Sequence, residues 1–345
     1  VGAGVTKAPF PWFGGKSKAA TQIWRAIGHD AGNYVEPFFG SGAVWLGRPS
    51  GFSGWAVVND IDGNLANFWR SVKKFPDATA EAACNPVNEC DLHARHLALV
   101  NGSGKLRDRL MADPNYCEPV LAGWWAWGAA VWIGSGWCAG NGPWNFAHDE
   151  HGIPVFTKGH GGQGVNRQLP HLGDAGKGVN RKLPHLGDGG NGVCQDRILW
   201  LKNWFGELAD NLREVRVACG DWERVCSPGT MTLNGPCGVV LDPPYSQTDA
   251  VYASDSSTVA HLVRAWCLAN GDNKDLRIVL CGHEGEHHEL EAHGWRIQEW
   301  DQKKSGGYSG KSDARERLWI SPHCLQGEPE NGEGVQLGLF CGDLP

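Results

Sequence analysis

Gly238-Val239-Val240-Leu241 runs directly into Asp242-Pro243-Pro244-Tyr245. An unbroken apolar run bounded by turn residues suits a short strand covered on both faces. The four residues after it put a carboxylate, two prolines and an aromatic ring at that strand's carboxyl end. Asp-Pro and Pro-Pro are common turn dipeptides, so a plain turn is one reading. The other is a grip. The Asp242 carboxylate and the Pro243 carbonyl are both acceptors, suited to the two N–H groups of an exocyclic amine, with Tyr245 to stack on the base carrying it.

The same pattern recurs along the chain. Asn33-Tyr34-Val35 leads into Glu36, Trp55 to Asn59 into Asp60, and Val215 to Gly220 into Asp221. Any one such acid could simply cap the next helix. In a doubly wound sheet, however, ligands bind outside the carboxyl ends of the strands, so the four acids are expected to converge on one crevice. Further strands are expected at Leu276–Cys281, Trp295–Trp300 and Arg317–Ser321. Helices are expected at Lys18–Ile27, Gly63–Lys73, Asp196–Leu212 and Thr258–Ala269. Their alternation favours an α/β architecture.

A chain of 345 residues can bury one large α/β core, or a core plus a smaller insert. No stretch approaches the roughly 20 apolar residues of a membrane span, and residues 1–20 lack the order of a secretion signal, so a soluble, intracellular protein is expected. The twelve cysteines are scattered without a Cys-x-x-Cys pair, which points to reduced thiols and no structural metal. The net charge of −7 argues against a uniformly basic DNA-coating protein, although a local positive channel is enough for an enzyme. Lys158 to Lys202 holds seven Lys/Arg against three Asp, whereas Leu325 to Pro345 has four acids and no base. Most of the eighteen tryptophans must be core, leaving a minority to stack on bases.

The middle of the chain differs. After a Trp/Gly-rich segment from Gly123 to Phe146, residues 162–175 read GQGVNRQLPHLGDA and residues 176–189 read GKGVNRKLPHLGDG. A period of 14 is too short for helical solenoids, and its Gly, Pro and Asp content indicates turns. The segment reads either as a flexible duplicated loop or as a ribbon carrying Asn166, Arg167, Asn180, Arg181 and Lys182 toward DNA. There they would hold phosphates or read base edges.

Taken in order, these pieces resemble the Dam-type (D12 class) DNA adenine-N6 methyltransferases. Pro11 to Lys16 is similar to the family's amino-terminal cofactor motif, Glu36 to Gly42 to its glycine loop, Asn59 to Asp62 to the segment after its second strand, and Asp242 to Tyr245 to its catalytic motif. The resemblance covers roughly residues 9 to 75 and 195 to 322. It implies a Rossmann-like fold, a mixed and mostly parallel sheet with helices on both faces. The catalytic domain would be formed by residues 1–75 and 195–323 around a target-recognition insert at 76–194, with a flexible acidic tail at 324–345. It implies S-adenosylmethionine as cofactor, with Trp12, Lys16 and Glu36 around its methionine end and Asp60 on its ribose. Pro37, Phe38, Gly40 and Gly42 would form the close turn, and Asp221 would lie near the cofactor adenine. Asp242, Pro243, Pro244 and Tyr245 would hold a flipped base of double-stranded DNA. It also implies a cytoplasmic, nucleoid-associated protein of a bacterial or phage-infected cell. Transfer to cytosine N4 presents the same chemical problem, and a catalytically silent DNA-binding protein on this fold is an alternative of another class.

Two further motifs compete for attention. His283-Glu284-Gly285-Glu286-His287 matches the zinc-protease H-E-x-x-H pattern, which needs both histidines on one face of a continuous helix. Its position after a strand, with a central glycine, favours a strand-to-helix loop. In the tail, Gln336, Leu337, Leu339 and Phe340 resemble the anchors of peptides that dock on bacterial sliding clamps; alternatively, the segment folds back onto the body.

Overall fold

A computed structural model describes residues 7–10, 12, 15–132, 137–138, 144–148, 154–158, 195–231, 234–245, 256–299 and 316–326. Its strands are β1 (Asn33–Glu36), β2 (Trp55–Asp60), β3 (Trp144–His148), β4 (Pro154–Lys158), β5 (Val215–Cys219), β6 (Cys237–Leu241), β7 (Leu276–His283), β8 (Arg296–Glu299) and β9 (Glu316–Ile320). Seven of them form one sheet in the order β5-β2-β1-β6-β7-β9-β8. The pairs from β5 to β7 are parallel, and β9 runs antiparallel to both its neighbours. β3 and β4 form a separate antiparallel pair. The sheet is thus the mixed, mostly parallel α/β arrangement expected from the sequence.

The central strand β6 is buried throughout and β7 up to its last residue, as continuous apolar runs should be when helices cover both faces. Their side chains alternate between two cores. Val240, Val279 and Cys281 face one, with Trp24, Trp45, Phe68, Trp69 and Phe205. Val239, Leu241, Ile278 and Leu280 face the other, with Trp222, Val263, Cys267 and Trp295. Edge strand β8, Arg-Ile-Gln-Glu, is largely exposed, and its charges suit a sheet margin.

The helices are α1 (Ala20–Ile27), α2 (Ala43–Leu46), α3 (Gly63–Lys74), α4 (Pro76–Ala83), α5 (Glu89–Ala112), α6 (Pro119–Val131), α7 (Gln195–Asn211), α8 (Pro228–Met231) and α9 (Ser256–Asn270). Helices α4, α5 and α6 were not anticipated. In α6, PVLAGWWAWGAAV is apolar almost all round, so it lacks the one-sided period by which a surface helix is recognised. Ala80, Ala83, Ala122, Trp125 and Ala126 join the same core as Phe39, Val58 and Phe68. Gly123 permits a close approach to α4, because a Cβ there would lie 2.5 Å from that of Ala82. Arg70 on α3 ties this layer to the sheet, donating to the carbonyls of Val217, Leu110, Asp113 and Tyr116.

The H-E-x-x-H segment does not lie on a helix. His283 ends β7, Gly285 takes φ +81°, and a 3₁₀ turn follows from His288 to His293. That arrangement cannot align His283 and His287 on one helical face.

Candidate active site

Strand order reverses between β1 and β6, whose outward connections run to opposite sides of the sheet. The crevice at such a switch point is where open α/β sheets bind ligands. A cavity of about 280 Å³ occupies it, lined from β1 by Glu36, from β2 by Asp60 and from the segment after β6 by Asp242, Pro243, Pro244 and Tyr245. Trp12, Gly15 and Lys16 close one side, with Phe38 to Ser41, Ala43, Val44 and Ile61 around them.

The turn after β1 is built for close approach. Gly40 and Gly42 both have positive φ, +50° and +63°. A Cβ on Gly40 would lie 2.5 Å from the Trp12 indole nitrogen, so no other residue fits without moving Trp12. Gly40 N–H donates to Asp60 Oδ2 at 3.0 Å, and Asp62 N–H to Asp60 Oδ1 at 3.0 Å. Asn59 binds the strand ends together by donating from Nδ2 to the carbonyls of Pro37, at 3.1 Å, and Gly220, at 2.9 Å.

The ionisable groups are strongly perturbed. Burial lifts the Glu36 carboxyl well above its usual range, and the nearby Asp242 and Asp60 carboxylates add to this. The Tyr34 hydroxyl, donating to Glu36 at 2.7 Å, only partly opposes it. Burial also raises Asp60 to about 7, against the backbone N–H groups that favour its charged form. Burial would pull the Lys16 ammonium down, but Asp242 foremost among its neighbours holds it above the ordinary lysine value. Lys16 Nζ lies 2.9 Å from Asp242 Oδ2 and 3.6 Å from Glu316 Oε2. The Tyr245 hydroxyl donates to Asp242 Oδ1 at 3.0 Å. The Tyr245 ring meets His283 edge-on at 4.4 Å, and Lys16 Nζ lies 5.2 Å from its centre.

Residues 12–92 match the family model of D12 class N6 adenine-specific DNA methyltransferase. The resemblance drawn from the sequence is therefore supported over this segment, which in the D12 class match carries Trp12, Lys16, the Glu36–Gly42 turn and Asp60. Asp242 to Tyr245 lie outside the matched stretch, and the sheet brings them beside it. The comparison with curated proteins gave no match.

Three of the four strand-end acids meet in the cavity, and the fourth does not. Asp221 is exposed and caps a 3₁₀ turn by accepting from Glu223 N–H at 2.9 Å. Pro37 and Gly42 are buried and shape the turn without lining the cavity. Conversely, Ser41, Ile61, His283 and Glu316 line it without having been singled out for this site. Glu316 faces His283 in register because antiparallel β9 begins where the parallel strands end. Asn166, Arg167, Asn180, Arg181 and Lys182, like Gln336, Leu337, Leu339 and Phe340, lie outside the described residues. Among the described residues no helix is long and apolar enough to cross a membrane, and no group of three or more His, Cys, Asp or Glu is arranged to hold a metal.

Proposed function

We propose that this chain methylates the N6 amino group of adenine in double-stranded DNA, with S-adenosylmethionine as cofactor. The observation carrying this reading is the meeting of Asp242 to Tyr245 with the Glu36–Ser41 turn in one cavity at the switch point of the sheet. The residues present suit the cofactor. Glu36 is a buried acid that a cationic amino acid head would return toward its charged form, and Asp60 offers a carboxylate to a ribose diol. The Gly40 cradle would be filled by any Cβ. When bound, the cofactor supplies an electrophilic methyl group on a sulfonium.

The adenine amino nitrogen is a poor nucleophile because its lone pair is delocalised into the ring. Asp242 and the Pro243 carbonyl accept its two N–H bonds and draw the nitrogen toward a tetrahedral form, with its lone pair aimed at the methyl carbon. Tyr245 stacks on the extruded base, offsetting part of the few kcal/mol lost with its pairing. Glu36, Asp60, Trp12 and Lys16 orient the donor. Catalysis here is mainly positioning and fixed electrostatics.

Tritium transfer from labelled S-adenosylmethionine to unmethylated plasmid DNA, followed by nucleoside analysis, tests the reading. Label in N6-methyladenine, lost in Asp242→Ala with cofactor affinity retained, is the expected result. Label in N4-methylcytosine, or an Asp242→Ala variant as active as the original, would overturn it. DNA contact by the 14-residue repeats and clamp docking by the tail are parts of this proposal that rest on sequence. Loss of DNA affinity in Arg167→Ala/Arg181→Ala, and loss of clamp binding on deletion of residues 334–345, are the expected outcomes.

A further inference from the structure

Both oxygens of Asp242 already have partners, the Lys16 ammonium on Oδ2 and the Tyr245 hydroxyl on Oδ1. An amino group arriving from a base must compete with these contacts. Lys16 cannot simply withdraw into water, because its side chain is 4 % exposed, and a buried charge deprived of its partner is strongly disfavoured. A second carboxylate lies within reach. Glu316 Oε2 is 3.6 Å from the same ammonium, its side chain is 11 % exposed, and it projects from the first residue of a strand paired to β7. Nothing in the proposed methyl transfer otherwise requires an acid there.

Building on the function proposed above, we infer that Glu316 is a positioning residue, the alternate anchor that takes the Lys16 ammonium when Asp242 turns to the target amino group. Lys16 then passes from one acid to the other inside the cavity and is never left without a counter-charge. The arrangement also accounts for the chemistry of Glu316 itself: burial raises its carboxyl, and an approaching Lys16 brings it back toward the charged form. The antiparallel direction of β9 makes this work, since a parallel strand at that place would present its first residue at the amino-terminal end of β7, away from the cavity.

The test compares the full chain with Glu316→Gln and Glu316→Asp. It measures steady-state methylation of unmethylated plasmid DNA, calorimetric affinity for S-adenosylhomocysteine, and thermal unfolding. Glu316→Gln, which keeps shape and loses charge, is expected to lower kcat about tenfold or more, roughly one decade of transition-state stabilisation. Both KM values and the S-adenosylhomocysteine affinity should stay within about threefold. Glu316→Asp, which keeps the charge, is expected to recover a substantial part of kcat. A Glu316→Gln enzyme within twofold of the original in kcat would overturn the inference. A loss carried by cofactor KM and S-adenosylhomocysteine affinity would also overturn it, as would unfolding of both variants, which would make Glu316 a stability residue. An original chain that transfers no methyl to DNA would instead sink the methyltransferase reading, and this inference with it.

Discussion

Replacing Asp242 with Asn separates the chemical role of the carboxylate from its structural one. The substitution keeps the volume of the side chain and removes the charge that Lys16 Nζ contacts at 2.9 Å. Breaking a fully buried ion pair by removing one partner costs about 3–5 kcal/mol, because the other charge is left uncompensated. Two features reduce that figure here. The Asp242 side chain keeps 22 % exposure, and Glu316 lies 3.6 Å from the same ammonium. A loss of roughly 2 kcal/mol is therefore expected, or a few degrees in Tm for a chain of this size. The sign follows from Lys16. Its folded-state pKa is raised above 10.5, so the stabilisation is fully present below that value and is lost as pH rises through the folded pKa. Urea unfolding at pH near 7.5 thus samples the plateau. The decisive arm is the double variant Lys16→Met/Asp242→Asn, in which the ammonium that lost its nearer carboxylate is itself removed, leaving only the Glu316 carboxylate without its contact to Lys16. It should regain most of the lost stability while methyl transfer stays abolished. If Asp242→Asn unfolds at the same urea concentration as the original, or the double variant is no more stable than Asp242→Asn alone, the ion pair is not what holds these residues together.

Other substitutions address the remaining parts of the cavity. Asp60 titrates at about 7, and a ribose diol donating to it favours the ionised form, so S-adenosylhomocysteine affinity should rise as pH increases through 7. Calorimetry on Asp60→Asn should find weaker binding with that pH dependence flattened, and an unchanged slope would exclude Asp60 as the titrating group. Gly40→Ala forces a side chain into positive φ, costing about 1–2 kcal/mol, and drives a Cβ to 2.5 Å from Trp12. Cofactor affinity should fall by at least about tenfold, with indole fluorescence reporting displacement of Trp12; unaltered binding would show that the turn relaxes freely. Glu36 has a raised folded-state pKa, so it lowers stability progressively as pH rises from its ordinary range toward that value. Glu36→Gln should accordingly be more stable than the original at pH 8 by denaturant titration, yet bind cofactor worse; a destabilised variant would contradict the burial argument.

Much of the sheet was legible locally. Alternating and continuous apolar runs identify β1, β2, β5, β6, β7 and β9 to within one or two residues, because the side-chain period of a strand is written in adjacent positions. The acids at those strand ends, and the glycines of the turn at 40 and 42, were legible for the same reason: each is fixed by its own chain neighbours. Helix α6 was not, since a segment buried on nearly all sides carries no polar face to reveal its period. Which acids share the cavity was likewise a tertiary outcome. Asp221 ends a strand as Glu36 and Asp242 do, yet it belongs to the sheet edge and caps a turn outside the cavity. Glu316 and His283 enter because β9 runs backwards against β7, a pairing between positions that no local pattern connects. Sequence alone therefore determined the strands of the main sheet and the chemical groups at their ends. Strand order and direction decided which of those groups meet, because that depends on contacts between residues hundreds of positions apart, such as Lys16 with Asp242 and Glu316.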